Sequence, residues 1–197
     1  MRGSTHLFTG LAAASLLVHD YAGLGMAALG ALMPDIDHPD SLISREMTPG
    51  MPPGRIGRGI ASVMLLGAWY QTRLPLLLAA GIAFLVLTFM PHRGVTHSLL
   101  GMAAAWLAIK ALGWPQVPFL IGYSVHLAED ALTPSGIPLL YPYQKRTRVP
   151  LVRTGSVVDW LIGLAGIVIF VMMVSAKGMH GSLDVLKELM RKVPGRL

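Results

Sequence analysis

A histidine and an aspartate four residues apart are the first side chains suited to chemistry. His126 and Asp130 lie at the end of an apolar run, and on a helix this spacing places both on one face. The pair could therefore bind one metal ion or two adjacent ions. The alternative is a buried His–Asp hydrogen bond that stabilises helix packing, and both interpretations stay open for the pair alone.

A second group, Asp35, Asp37 and His38, lies between two prolines. Proline restricts its own backbone and that of the preceding residue, so Pro34 and Pro39 would hold this cluster in a defined loop. On an extended segment Asp35 and Asp37 would face one way and His38 the other. The three residues are candidate metal ligands, and the alternative is a helix C-cap followed by a solvated turn.

A third group lies in a polar segment between two apolar runs and contains His92, Arg93, Gly94 and His97. Gly94 frees the backbone, and the N–H groups at the start of the following helix favour an anion. Arg93 can add bidentate contacts to phosphate. The segment therefore predicts a phosphate site beside two further metal ligands. The alternative is a hydrated turn whose arginine touches lipid headgroups.

Two single residues and one basic loop complete the candidates. His6 begins the first apolar run. Asp159 begins the last run, where it is either a further ligand or a charge that favours the helix N-terminus. The loop before Asp159 carries Lys145, Arg146 and Arg148, which could bind an anionic substrate or anionic headgroups.

The composition indicates a membrane protein. Of the 197 residues, 53% are hydrophobic and only 13% are charged, whereas soluble domains carry roughly a quarter charged residues. The net charge of +6 comes from basic residues dispersed in short loops, as beside membrane spans, so nucleic-acid binding is not expected. Cysteine is absent, which leaves His, Asp and Glu as metal ligands.

The apolar runs predict an all-α integral-membrane bundle of about seven helices. Only the fourth and seventh runs, with eighteen and seventeen uncharged residues, approach the roughly 20 needed to cross a bilayer. We expect residues 1–176 to form one membrane-embedded domain and residues 177–197 to form an amphipathic tail on the membrane surface. The predicted helices cover about residues 5–19, 21–33, 59–72, 75–90, 95–112, 118–132 and 156–176.

If these helices alternate in direction, the candidate residues fall at the same end of the bundle. His6 starts the first helix and Asp35 follows the second. His97 lies at the beginning of the fifth helix, and Asp130 lies near the end of the sixth. The sequence therefore predicts a metal site at one membrane face.

In the segments that carry the candidate metal ligands, the chain resembles the YdjM-like family of membrane-bound, metal-dependent hydrolases, also described as LexA-regulated inner-membrane proteins. Asp159 stands where relatives can carry Glu. The spacing of His126 and Asp130 is also distantly similar to an element of zinc-dependent phospholipase C and P1-type nucleases, without the N-terminal Trp ligand of those enzymes. The segments that match the YdjM-like family are His6, 34–39, 92–98, 122–136 and 146–150.

The residues and the resemblance together predict a metal-dependent hydrolase of a bacterial or archaeal cytoplasmic (inner) membrane. A bound ion would lower the pKa of water to about 7 and supply hydroxide. We expect one to three divalent ions, with Zn²⁺ favoured over Mn²⁺ or Fe²⁺, and a phosphoester substrate such as a phospholipid. Arg93, Asp37 and His97 are the expected catalytic residues. The expected metal ligands are His6, Asp35, Asp37, His38, His92, His97, His126, Asp130 and Asp159.

Two other functions stay open. The same residues could bind divalent cations in a transporter or channel, although such a pathway needs polar residues through the midplane. The other function is a membrane scaffold with a structural metal, which a closed coordination shell would favour. A serine hydrolase has little support, because the chain contains no Gly-x-Ser-x-Gly segment.

Overall fold

The computed structural model describes residues 1–37, 55–89 and 93–177, which form seven α-helices and two short 3-10 helices, Met33–Asp37 and Val95–His97. The all-helical class and the number of helices predicted from the apolar runs are confirmed. The helices are α1 (Gly3–Ser15), α2 (Tyr21–Leu32), α3 (Arg55–Thr72), α4 (Pro75–Phe89), α5 (Leu99–Ala111), α6 (Gln116–Ala131) and α7 (Val157–Lys177).

Capping side chains decide where two of the helices begin. Asp20 caps α2 by accepting a hydrogen bond of 2.7 Å from a backbone N–H of its first turn. Ser98 caps α5 in the same way at 3.2 Å. Because Ser98 separates α5 from the 3-10 turn before it, α5 begins at Leu99, four residues later than the predicted start at Val95.

Helix α1 packs against α2, α6 and α7, and α2 also packs closely against α6. Helix α5 contacts α6 and the 3-10 turn that precedes α5, whereas α3 and α4 pack chiefly against each other as a helical hairpin. The buried apolar core lies between α2, α5 and α6. Its members include Met26, Ile109, Phe119, Tyr123 and Leu127.

Glycine allows the backbones of α2 and α6 to come into contact. A Cβ atom at Gly30 would lie 2.1 Å from the carbonyl oxygen of Phe119. A Cβ atom at Gly122 would lie 2.1 Å from the carbonyl oxygen of Ala27. Side chains cannot approach a backbone oxygen so closely, so both positions require glycine at this helix spacing. This contact sets the distance between two of the helices that surround the candidate site.

One described helical segment, Val157–Ala176 in α7, is long and apolar enough to cross a membrane. Only 17% of its apolar 18-residue stretch is buried inside the described structure, which suits contact with lipid rather than with a protein core. Helix α4 is apolar over its 15 described residues, and the end of the predicted near-bilayer run, residues 90–91, lies outside the described residues. The predicted amphipathic tail lies outside the described residues, apart from Lys177.

Gly30→Ala is expected to destabilise the protein by about 1–3 kcal/mol, because the added methyl group would force α2 away from α6. Gly25→Ala is the matched control, since Gly25 lies in the same helix with nothing within 4 Å of an added Cβ. This control is expected to stabilise the helix by roughly 0.5–1 kcal/mol. Thermal unfolding of the purified variants measures both effects. Equal melting temperatures of Gly30→Ala and Gly25→Ala would contradict the close contact between the backbones of α2 and α6.

Candidate metal centre

Four side chains meet to form a group suited to a metal ion: Asp35, His97, His126 and Asp130. We call these four residues the metal cluster. Asp35 comes from the 3-10 turn after α2, His97 from the 3-10 turn before α5, and the other two from α6. One donor atom of each residue lies within 4.8 Å of the donor atoms of the others. Such a set of imidazole and carboxylate donors suits a divalent ion.

Five of the six separations between the donor atoms lie between 3.3 and 3.9 Å, close to those of a tetrahedral metal site. His97 Nε2 lies 3.3 Å from Asp35 Oδ1 and 3.4 Å from Asp130 Oδ2. The Nε2 atoms of His97 and His126 lie 3.4 Å apart. His126 Nε2 lies 3.7 Å from Asp35 Oδ1 and 3.9 Å from Asp130 Oδ2. Four ligands about 2.1 Å from a zinc ion would lie about 3.4 Å from one another, so the donors fit a small ion.

Outer hydrogen bonds turn both imidazoles of the metal cluster inward. His126 Nδ1 donates to the carbonyl oxygen of Ala31 at 2.6 Å, so the lone pair of its Nε2 faces the other donors. His97 Nδ1 lies 3.1 Å from Thr96 Oγ1. Tyr123 holds this turn in place, because its hydroxyl donates to the carbonyl oxygen of Thr96 at 2.6 Å. The core residue Tyr123 thus positions a donor of the cluster.

The donors of the two 3-10 turns influence each other's ionisation. Burial by itself opposes ionisation of Asp35, but the hydrogen bond with His97 and the nearby imidazoles outweigh it, so the pKa of Asp35 lies below its ordinary value. Burial likewise disfavours the charged form of His97, but Asp130 and Asp35 more than compensate and raise the pKa of His97. A divalent ion therefore competes with a proton for His97.

Arg93 links the metal cluster to the turn that follows α6. Its Nη2 atom lies 3.1 Å from Asp130 Oδ2, while Nη1 donates to the hydroxyl oxygens of Ser135 and, at 3.4 Å, Thr133. Its backbone has a φ of 56°, in the left-handed region that is costly for a non-glycine residue. The contacts of the side chain hold this conformation and place a guanidinium at the edge of the cluster.

Two further arginines surround the 133–136 turn. Arg146 Nη1 donates to two carbonyl oxygens of this turn, each at 3.2 Å, and Arg148 Nη1 donates to a third at 3.3 Å. Both side chains are exposed. We call Arg93, Arg146 and Arg148 the arginine rim. Because only Nη1 of Arg146 and of Arg148 makes these bonds, other N–H groups of the rim remain for an anion.

His6 of α1 lies directly beside the metal cluster. Its ring stacks on that of His126 with the centroids 3.7 Å apart, and its Nε2 lies 3.4 Å from Asp130 Oδ1. The amino group of Met1 contacts the same oxygen. On its other side, His6 Nδ1 lies 2.6 Å from Glu129 Oε2. Glu129 is not among the site residues predicted from the sequence, although an acid three residues after His126 in an apolar helix was the available signal.

The structure does not bring Asp159 into the metal cluster. Its carboxylate accepts hydrogen bonds from Thr5 Oγ1 at 2.8 Å and from the backbone N–H of Gly155 at 2.7 Å. Its Oδ1 thus joins α7 to α1 and its Oδ2 bonds to the backbone just before α7, which favours the interpretation as a helix N-terminal charge over that as a ligand. The side chain of Asp37 and all of His38 and His92 lie outside the described residues, and their roles stay predictions.

Comparison with known proteins gives a family and two kinds of relatives. A profile of the YdjM inner membrane protein family matches residues 1–185. The inner membrane protein YdjM of Escherichia coli (strain K12) and that of Shigella flexneri are each 32% identical over 134 residues, which is 64% of this chain and 52% of theirs. The chain thus spans about half the length of these curated relatives. The uncharacterized protein YvsG of Bacillus subtilis (strain 168) is 28% identical over 173 residues, 85% of this chain and 89% of YvsG. No solved structure matches the chain.

The purified protein is expected to bind a divalent ion, and His126→Ala is expected to weaken this binding by more than about 100-fold, because even outer partners of metal ligands contribute roughly 10–100-fold. His19→Ala is the matched control, since His19 lies between α1 and α2, outside the cluster. Elemental analysis and titration with Co²⁺, whose absorption reports coordination geometry, measure the effect. If folded His126→Ala protein retained the ion in full, the assignment of His126 as a ligand in the metal cluster would be wrong.

Proposed function

The chain belongs to the YdjM inner membrane protein family, and from this premise we propose that it is a membrane-bound, metal-dependent hydrolase that acts on phosphoesters. The family agrees with the inner-membrane localisation that the resemblance implied and with the membrane protein that the composition indicated, and α7 supplies a segment long enough to cross a membrane. The observation that carries the proposal is the metal cluster with the guanidinium of Arg93 beside it. Cation-binding and anion-binding groups thus lie next to each other.

The four donors of the metal cluster would hold the ion, which supplies the Lewis acidity that makes water a nucleophile near neutral pH. His97, His126 and Asp130 are buried, and a low surrounding dielectric strengthens the attraction between such donors and a cation. Asp130 would share its negative charge between the ion and Arg93. Arg93 is thereby held where it can stabilise negative charge that develops on a substrate oxygen.

The arginine rim favours a phosphate-containing substrate. Guanidinium groups match the geometry of phosphate oxygens and bind them through paired N–H groups. Within the described part of the chain, Arg146 and Arg148 form no ion pair with a carboxylate. Their bonds to the carbonyl oxygens of the 133–136 turn fix their positions without neutralising their charge. An anionic substrate would supply the missing negative charge.

Exposed apolar side chains support an embedded bundle with the metal cluster near one membrane face. Helices α4, α5 and α7 carry large apolar residues that no described element covers, and lipid is a suitable neighbour for them. A site at the membrane boundary would give access to phospholipid headgroups. The exposed residues include Leu76, Ile82, Leu85, Val86, Leu99, Leu100, Leu107, Val168, Ile169, Val171 and Met172.

A structural metal site is the second candidate function, because four protein donors already complete a tetrahedron, whereas catalytic zinc sites usually keep one position open. The accessibility of the donors favours the enzyme. The Asp35 side chain is 15% exposed, whereas that of Asp130 is 1% exposed, so the cluster is most accessible on the side of Asp35. A transport pathway has less support, because the described donors gather in one place instead of following a line through the bundle.

Arg93→Gln is expected to lower kcat/KM for phosphoester hydrolysis by about 100-fold, because one charge-stabilising donor is lost, while the metal content stays unchanged. Arg73→Gln is the matched control, since Arg73 has the same left-handed backbone, with a φ of 58°, in the turn between α3 and α4. The measurement is release of phosphate or headgroup from phosphomonoesters, phosphodiesters and glycerophospholipid vesicles by metal-loaded protein.

The same assay separates the two candidate functions. A folded, metal-loaded protein that hydrolyses none of these phosphoesters, and that unfolds when the ion is removed by chelation, would contradict the enzyme and support a structural metal. Equal losses of activity in Arg93→Gln and Arg73→Gln would contradict the specific role of Arg93.

A further inference from the structure

We propose that Glu129 is a positioning residue, which holds the imidazole of His6 so that its Nε2 atom is a further donor to the metal centre. This inference rests on the proposed function only in requiring that an ion binds. It concerns a carboxylate that lies outside the metal cluster and that neither the sequence pattern nor the family match assigns.

A short contact between two buried groups carries the inference. His6 Nδ1 lies 2.6 Å from Glu129 Oε2, and His6 is fully buried while Glu129 is 7% exposed. An ionised carboxylate only accepts hydrogen bonds, so Nδ1 is the nitrogen of His6 that carries the proton. The lone pair of the neutral imidazole is then on Nε2. Glu129 thus selects the tautomer in which His6 can bind a cation.

The Nε2 atom of His6 is itself unsatisfied. It is buried, it has no hydrogen-bond partner, and it lies 3.4 Å from Asp130 Oδ1. A buried polar atom without a partner destabilises a protein unless a ligand binds to it. The Oδ2 atom of Asp130 is also buried and makes no hydrogen bond, although Arg93 Nη2 lies 3.1 Å from it and His97 Nε2 lies 3.4 Å from it. The unsatisfied His6 Nε2 beside the carboxylate of Asp130 points to a cation that both residues serve.

The imidazoles of His6 and His126 follow the same pattern. Each ring has its Nδ1 bonded to an outer acceptor and its Nε2 directed inward. The outer acceptor of His126 is the neutral carbonyl oxygen of Ala31, whereas that of His6 is a carboxylate. A carboxylate partner makes an imidazole a stronger electron donor, and such outer partners strengthen metal binding about 10–100-fold.

Two consecutive residues of α1 provide the comparison that the test needs. Thr5 donates to the buried carboxylate of Asp159, and His6 contacts the buried carboxylate of Glu129. Both contacts join α1 to another helix, but only one leads to the metal centre. Glu129→Gln and Asp159→Asn therefore make the same chemical change in matched surroundings.

The first experiment measures the tautomer of His6 by nitrogen NMR of ¹⁵N-histidine-labelled, metal-free full-length protein at alkaline pH. The expected result is a proton on Nδ1 in the wild type. A shift toward protonation of Nε2 is expected in Glu129→Gln, because the amide can donate to Nδ1 and Asp130 can accept from Nε2. Wild-type His6 with a proton on Nε2 would overturn the proposal, as would an unchanged tautomer in Glu129→Gln.

The second experiment titrates each folded variant with Co²⁺. Affinity is expected to fall about 10–100-fold in Glu129→Gln and to stay within about twofold of the wild type in Asp159→Asn. The double variant His6→Gln/Glu129→Gln is expected to bind no more weakly than His6→Gln alone, because Glu129 acts through His6. Equal losses of Co²⁺ affinity in Glu129→Gln and Asp159→Asn would show that the loss comes from disturbed helix packing, and would overturn the proposal.

The outcomes also separate this inference from the proposed function. An ion-binding wild type with unchanged affinity in Glu129→Gln would overturn the role of Glu129 alone. Wild-type protein that binds no Co²⁺ would overturn the donor role of His6 together with the metal-dependent hydrolase.

Discussion

The buried carboxylate of Asp130 is the group on which the arrangement of this site depends. Taking a carboxylate out of water costs several kcal/mol, and the cost is offset only by well-placed positive or N–H partners. Its Oδ1 faces His6 and the amino group of Met1, while its Oδ2 faces Arg93 and His97. These partners come from α1 and from the segment before α5. A different packing of these elements would leave the charge uncompensated, so the charge helps to select the fold.

Much of the fold follows from simple features of the sequence. Long apolar runs bounded by glycine, proline and polar residues predict helices. The predicted bounds of α2 agree with the structure to within a residue at both ends, and so does the predicted start of α7. The convergence of Asp35, His97 and Asp130 follows from alternating helix direction. This alternation brings the end of one helix and the start of the next to the same side, so the end of the second helix, the start of the fifth and the end of the sixth lie together. The start of α5 was less predictable, because the cap by Ser98 and the 3-10 turn before it depend on local backbone geometry.

The roles of buried acids were harder to predict than their presence. Asp159 and Glu129 both lie beside apolar helix residues, and residue type alone does not tell a ligand from a structural partner. What distinguishes them is the neighbour on α1: Asp159 meets the hydroxyl of Thr5, and Glu129 meets the imidazole of His6. Which residue of α1 faces each acid depends on the rotation of α1 about its axis relative to α6 and α7, and no short sequence pattern predicts this rotation. Tertiary packing, rather than spacing, assigns these two carboxylates.

The contact between the backbones of α2 and α6 would also restrict the size of an ion bound by the metal cluster. Ala31, whose carbonyl oxygen orients His126, follows Gly30 directly, so the helix spacing and the imidazole position are fixed together. Calcium takes roughly six to eight oxygen ligands at about 2.3–2.6 Å, which requires more donors and a wider cage than zinc. Helices whose backbones touch cannot separate to provide that cage without losing their packing. In the proposed metal centre, both this rigid helix spacing and the nitrogen donors would therefore disfavour large cations.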